Sequence, residues 1–159
     1  MGTDRGTLLI DLVRVETTLY NLVDGRLKEA GGLSLPQLEL LSVIRDVPGC
    51  RVVDVARSIS LTVGAASKAV DRLEEHGWCR RAADRHDRRS STLTLTADGS
   101  AAVDRAATVF DAATRDIIGP LLPAADAQRL AELLATLRAA LQPSVDRRAG
   151  IPHRDVADA

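Results

Sequence analysis

Apolar residues recur every third or fourth position along most of this chain, and only one stretch departs from that period. From about Thr7 to Leu27, Leu8, Leu12, Val15, Leu19 and Leu22 form one stripe with Asp11, Arg14, Asp24 and Arg26 off it, which predicts a first helix closed by Gly31-Gly32. Ser34 followed three residues later by Gln37 reads as a capping box, with Leu33 and Leu38 placed as its hydrophobic staple. The second helix then turns Leu38, Leu41 and Ile44 inward and stops at Pro48-Gly49. Val52 to Ile59 predicts a short third helix, Ser60-Leu61 a turn, and Thr62 the cap of a fourth helix reaching about His76. Its inward residues are Ala66, Ala69, Val70 and Leu73, and Gly77 is placed to end it in a left-handed conformation.

The period then switches to two. Ser90 to Leu95 alternates, with Thr92, Thr94 and Thr96 on one face and Leu93 and Leu95 on the other, and Trp78 to Arg81 supplies a partner strand. The segment between them, ADRHDRR, is a charged hairpin tip. Helical spacing resumes after Thr96, which caps a fifth helix running to about Ile118 with Val103, Ala106, Ala107, Phe110 and Ile117 along it. Gly119-Pro120 breaks that helix. A sixth, from about Ala124 to Leu141, carries Leu130, Leu133, Leu134, Leu137 and Leu141 in register. The expected class is mainly α with a small β-hairpin wing: a winged helix-turn-helix lobe, residues 34–96, between long N- and C-terminal helices, 1–33 and 97–142, whose apolar seams need a partner in the chain itself or in a second subunit, as dimerisation helices would; 143–159 is a polar, loosely held tail.

Composition narrows the picture. Aromatic residues make up 2% of the 159, so Leu, Val, Ile and Ala must fill the core, which favours helix packing over a β-sandwich. No apolar run approaches the roughly 20 residues that span a bilayer. The opening MGTDRGTLLIDLV carries acids and no cleavage site, unlike a signal peptide. With Cys50 and Cys79 as the only cysteines, these features predict a cytoplasmic protein with reduced, buried thiols; a redox switch is the minority reading. Residues 51–99 hold 9 Lys/Arg against 7 Asp/Glu, whereas residues 1–50 hold 5 against 7. A local basic patch on a weakly acidic molecule is enough to grip phosphates. No Ser/His/Asp set in recognisable context, glycine-rich phosphate loop or metal-ligand spacing supports an enzyme or a cofactor, and His76, Cys79 and His86 are a poor zinc set.

The fourth helix opens on Gly64, Ala65, Ala66 and Ser67. Two readings stay open for the first three: a slim turn that sits deep in a major groove, or close packing against the preceding helix. Ser67 and Lys68 are the first side chains that could reach bases or phosphates. Arg85, Arg88 and Arg89 at the hairpin tip suit a narrow minor groove, with Asp87 orienting Arg89 or Arg72.

In order and spacing, Val55-Ala56, Thr62, Asp71-Arg72-Leu73-Glu74, Gly77, Arg81, Asp87-Arg88-Arg89 and Leu95-Thr96-Ala97-Asp98-Gly99 resemble the MarR family of bacterial winged helix-turn-helix transcription regulators. The likeness extends from the first helix to Leu141. It implies a homodimer formed by the first, fifth and sixth helices, bound to a pseudo-palindromic double-stranded operator. By that resemblance Thr62, Ser67 and Lys68 look like recognition-helix contacts, Arg89 like the inserted wing arginine with Asp87 as its partner, and Arg72 like a positioning residue. Many members bind small phenolic or other lipophilic effectors between the two lobes; Tyr20, Leu41, Ile44 and Phe110 are the candidates here, against a plain core role. The function implied is a repressor relieved by such a ligand, with no membrane partner. The alternative is a winged-helix protein-interaction scaffold that does not read DNA. Two departures bear on this: small residues replace the hydroxyl-bearing ones many members carry at the start of the recognition helix, and the first helix lacks the cysteine of the peroxide-sensing branch.

Overall fold

The structure, a computed structural model, describes residues 4–83 and 91–149. Helix α1 spans Arg5–Glu29 and is capped by Asp4, whose carboxylate accepts from the amides of Gly6 and Thr7. Only Val23 and Leu27 of α1 are buried, because no described residue packs closely over its first half. Gly31, at φ +68°, turns the backbone into α2, Leu35–Asp46. Gln37 Oε1 accepts from the Ser34 amide at 2.8 Å, half of the predicted capping box, and Asp24 Oδ1 accepts from the Leu35 amide at 2.8 Å, tying α1 to α2. Helix α3 is Val52–Ser58, and α4, Val63–Glu75, follows a turn in which Ser60 takes φ +57°.

Gly77, at φ +73°, ends α4 and starts the hairpin. Strands β1, Cys79–Ala83, and β2, Ser91–Leu95, pair antiparallel with Cys79 opposite Leu95 and Ala83 opposite Ser91. The alternation fixes which face is buried: Leu93 points into the core at 2% exposure and Thr94 to the surface. Thr96 closes the hairpin twice, donating to the Gly77 carbonyl at 2.7 Å and accepting from the Gly99 amide at 3.0 Å as the cap of α5, Ala97–Ile118. Gly99 is required there, since a Cβ would sit 1.8 Å from the Trp78 carbonyl oxygen. The core lies where α2, α3, α4, β2 and α5 meet, around Leu41, Val55, Val70, Leu73, Leu93 and Val103.

Helix α6 departs from the predicted pattern. It spans Ala124–Ala149 and passes through Pro143, where a polar tail was expected to begin. Proline removes the amide that would bond the Ala139 carbonyl, a loss that normally ends a helix. Here the following turn is held from outside. Arg57 on α3 pairs with Asp146 at 3.3 Å, and Gln142 donates to Asp146 at 3.1 Å. The apolar residues of α6 do not join the core: Leu133, Leu137 and Leu141 are each more than half exposed, as are Leu8, Leu9 and Val13 of α1. Among the described residues no helix is long and apolar enough to cross a membrane.

Candidate nucleic-acid interface and ligand cavity

The fourth helix meets solvent along Thr62, Val63, Gly64, Ala65, Lys68, Asp71 and Arg72. Thr62 Oγ1 accepts from the Ala65 amide at 3.2 Å, so its hydroxyl caps the helix while staying on the surface. The two readings of the small-residue turn divide by position. Ala66 is fully buried and packs, but a Cβ on Gly64 would meet nothing within 4 Å. Gly64 and Ala65 therefore leave an open surface that packing within the chain does not require. Lys68 and Arg72 are exposed on the same helix, whereas Ser67 is half-buried and faces the wing.

What Ser67 faces is Arg81, whose role the sequence reading missed. The Arg81 guanidinium reaches from β1 back to α4, pairing with Asp71 and Glu74 through Nη1 and approaching Ser67 Oγ at 3.4 Å through Nη2. Its amide also donates to Glu74 Oε1 at 2.7 Å. Partial burial alone would lower the guanidinium's pKa, but the bond to Asp71 and the charge of Glu74 outweigh it and raise it. The network fixes the first wing strand against the recognition helix. The available signal was two acids three residues apart on one helix face, with an arginine two residues into the next strand. Arg85, Asp87, Arg88 and Arg89 lie outside the described residues. His76, at the end of α4, stacks on Trp78 with ring centroids 4.7 Å apart.

A cavity of about 820 Å³ opens between α1, α2, α5 and α6. Its wall is mostly aliphatic, and it includes Tyr20 and Phe110. Leu41 and Ile44, expected at the same place, are not on this wall. At 100° per residue Ile44 lies nearly half a turn round α2 from Leu35 and Ser42, which do line it, while Leu41 lies beside the wall face, some 60° past Leu38. Both pack into the core instead, at 0% and 4% exposure. Among the polar residues of the wall are Glu16, Glu39 and Arg45. Desolvation pushes the Glu39 carboxyl up, with the charge of Glu16 adding to the shift. Tyr20 shifts upward for the same first reason, with Glu39, Asp24 and Glu16 contributing.

Cys50 and Cys79 are free and buried, and burial pushes both thiols up to about 11. Among the described residues no group of His, Cys, Asp and Glu is arranged to hold a metal ion.

A helix-turn-helix with its second helix exposed at the N-terminal turn, followed by a β-hairpin and flanked by long helices, defines the winged helix-turn-helix regulators. Comparison with known proteins gives the family. The MarR family model matches residues 33–91. The HTH-type transcriptional repressor Rv2887 of Mycobacterium tuberculosis is 34% identical over 110 residues, 69% of this chain and 78% of the relative. The structure of Sco3205, a MarR family transcriptional regulator from Streptomyces coelicolor in complex with DNA, superposes with a TM-score of 0.79 at 25% identity, covering 91% of each chain. CouR from Rhodococcus jostii RHA1 bound to p-coumaroyl-CoA superposes with a TM-score of 0.72 at 26% identity, covering 86% of this chain and 92% of CouR. The chain belongs to the MarR family: it is a transcriptional regulator and not an enzyme.

Proposed function

We propose that the chain acts as a homodimer that binds a pseudo-palindromic operator and represses transcription until a small lipophilic molecule fills the cavity. The observation that carries this reading is the ownership of the cavity wall. Leu12 of α1 and Leu130 and Leu134 of α6 come from the exposed apolar helices, while Leu35, Leu38 and Ser42 come from the DNA-binding lobe. A ligand there touches both lobes at once. It can bias the separation of the paired recognition helices through the differential contacts that any ligand-driven shift requires. Thr62, Ser67, Lys68 and Arg72 are the proposed contacts and positioning residues on α4, with Arg85, Asp87, Arg88 and Arg89 on the wing.

The test is a salt titration of binding to the DNA upstream of the chain's own gene, followed by fluorescence anisotropy. Affinity should fall steeply with salt, and Arg89→Ala should reduce the slope by about 1 while weakening binding across sequences. Unchanged affinity and slope would remove the wing from the interface. The open turn at Gly64 and Ala65 also suits a protein-interaction scaffold. That reading predicts no salt-dependent DNA affinity, so the same titration separates the two.

A further inference from the structure

The cavity has an unusual charge and aromatic content for this chain. The sequence contains one Tyr and one Phe, and both stand in this wall. The charged residues on the wall are Glu16, Glu39 and Arg45. Arg45 is paired with residues off the wall, its Nε with Asp46 at 2.9 Å and its Nη1 with Asp104 at 3.5 Å. Glu39 forms no hydrogen bond or ion pair with any described residue, and Glu16 accepts only from the adjacent Thr17 hydroxyl. Nearby Asp24 is already bound by Lys28 at 2.6 Å and by the Leu35 amide. What remains is a largely apolar cavity lined by two aromatic rings and bordered by two exposed glutamates that have no ion-pair partner among the described residues.

We propose that this cavity takes a lipophilic cation, an amphipathic amine whose apolar body lies along the aliphatic wall and whose protonated nitrogen sits with Glu39, Glu16 and the Tyr20 ring; this rests on the cavity being the effector site. A carboxylate attracts the ammonium, and an aromatic face attracts it further where water is displaced. An acid of the same shape meets the opposite field, its charge brought beside two like charges. The neutral analogue gains the apolar contacts alone.

The experiment is calorimetric titration of the full chain at neutral pH with three probes of one shape: para-phenylbenzylamine, para-phenylbenzyl alcohol and para-phenylbenzoic acid. The amine should bind about tenfold tighter than the alcohol, and the acid more weakly than either. Glu39→Gln should bring the amine close to the alcohol and leave the alcohol's affinity unchanged, with Glu16→Gln as a second variant and a thermal melt of each confirming the fold. If the acid binds tighter than the amine, or if Glu39→Gln weakens all three equally, the cation assignment is wrong and the effector-cavity reading survives. If none of the three binds, both fall.

Discussion

At the residue scale, two glycines in similar helical positions carry opposite consequences. Gly64 and Gly99 both lie in the first turn of a helix, but a Cβ would meet open space at the former and the Trp78 backbone at the latter. Gly64→Ala should therefore stabilise the fold by roughly 0.5–1 kcal/mol, the helix-propensity difference. Gly99→Ala should destabilise it by at least about 1–3 kcal/mol, because the clash is with backbone and cannot be relieved by a rotamer change. Paired thermal melts read both signs. If Gly64→Ala also lowers operator affinity, the bare turn serves the groove and not the fold. The cysteines give a second prediction. Moving a thiol from 9.0 to about 11 cuts its thiolate fraction about a hundredfold near neutral pH, before burial slows access further. Cys50 and Cys79 should resist iodoacetamide in the folded protein and react once it is unfolded. The same raised values favour the neutral thiol in the folded state. Their contribution to stability is full below about 9 and is lost as pH rises through about 11.

At the scale of elements, the local rules carried far. Ser34 with Gln37, Thr62, Gly77 and Thr96 all mark boundaries that the structure places where caps and turns put them. The failures share a cause, which is long-range contact. Pro143 reads as a stop because a proline's local cost is visible in sequence, while the Arg57 that braces Asp146 lies 89 residues away. Leu41 and Ile44 match an apolar pocket by type, but which side of α2 faces the cavity depends on where α1 and α5 sit. Arg81 looks like one more basic residue before the wing until the fold folds β1 back on α4. That network sets the third prediction. Arg81→Ala should cost roughly 1–3 kcal/mol by leaving Asp71 and Glu74 facing each other across a lost partner. Arg81→Lys should recover only part of it, since one ammonium cannot reach Asp71, Glu74 and Ser67 together. Equal stability for lysine and arginine would show that charge alone is at work.

At the scale of the whole molecule, the deciding feature is apolar surface that no described residue covers. Leu8, Leu9 and Val13 of α1 and Leu133, Leu137 and Leu141 of α6 are all more than half exposed, an arrangement a lone soluble chain rarely tolerates over so long a face. A second copy seated on these helices would cover them. It would also join two recognition helices into one rigid bivalent reader, and the gain from that linkage is large: a second site engaged through a rigid tether typically multiplies affinity by about 10²–10⁴. Leu133 and Leu137 are exposed and stand outside the cavity wall, so the double change Leu133→Glu with Leu137→Glu tests assembly without touching the proposed ligand site. Sedimentation should show the variant as a monomer with its helical signal retained, since neither residue contributes to the core. Affinity for a full operator should drop by a factor of that order, while binding to an isolated half-site stays close to that of the unaltered protein. A variant that remains dimeric would move the subunit interface off α6, and a monomer that kept full operator affinity would separate DNA reading from pairing altogether.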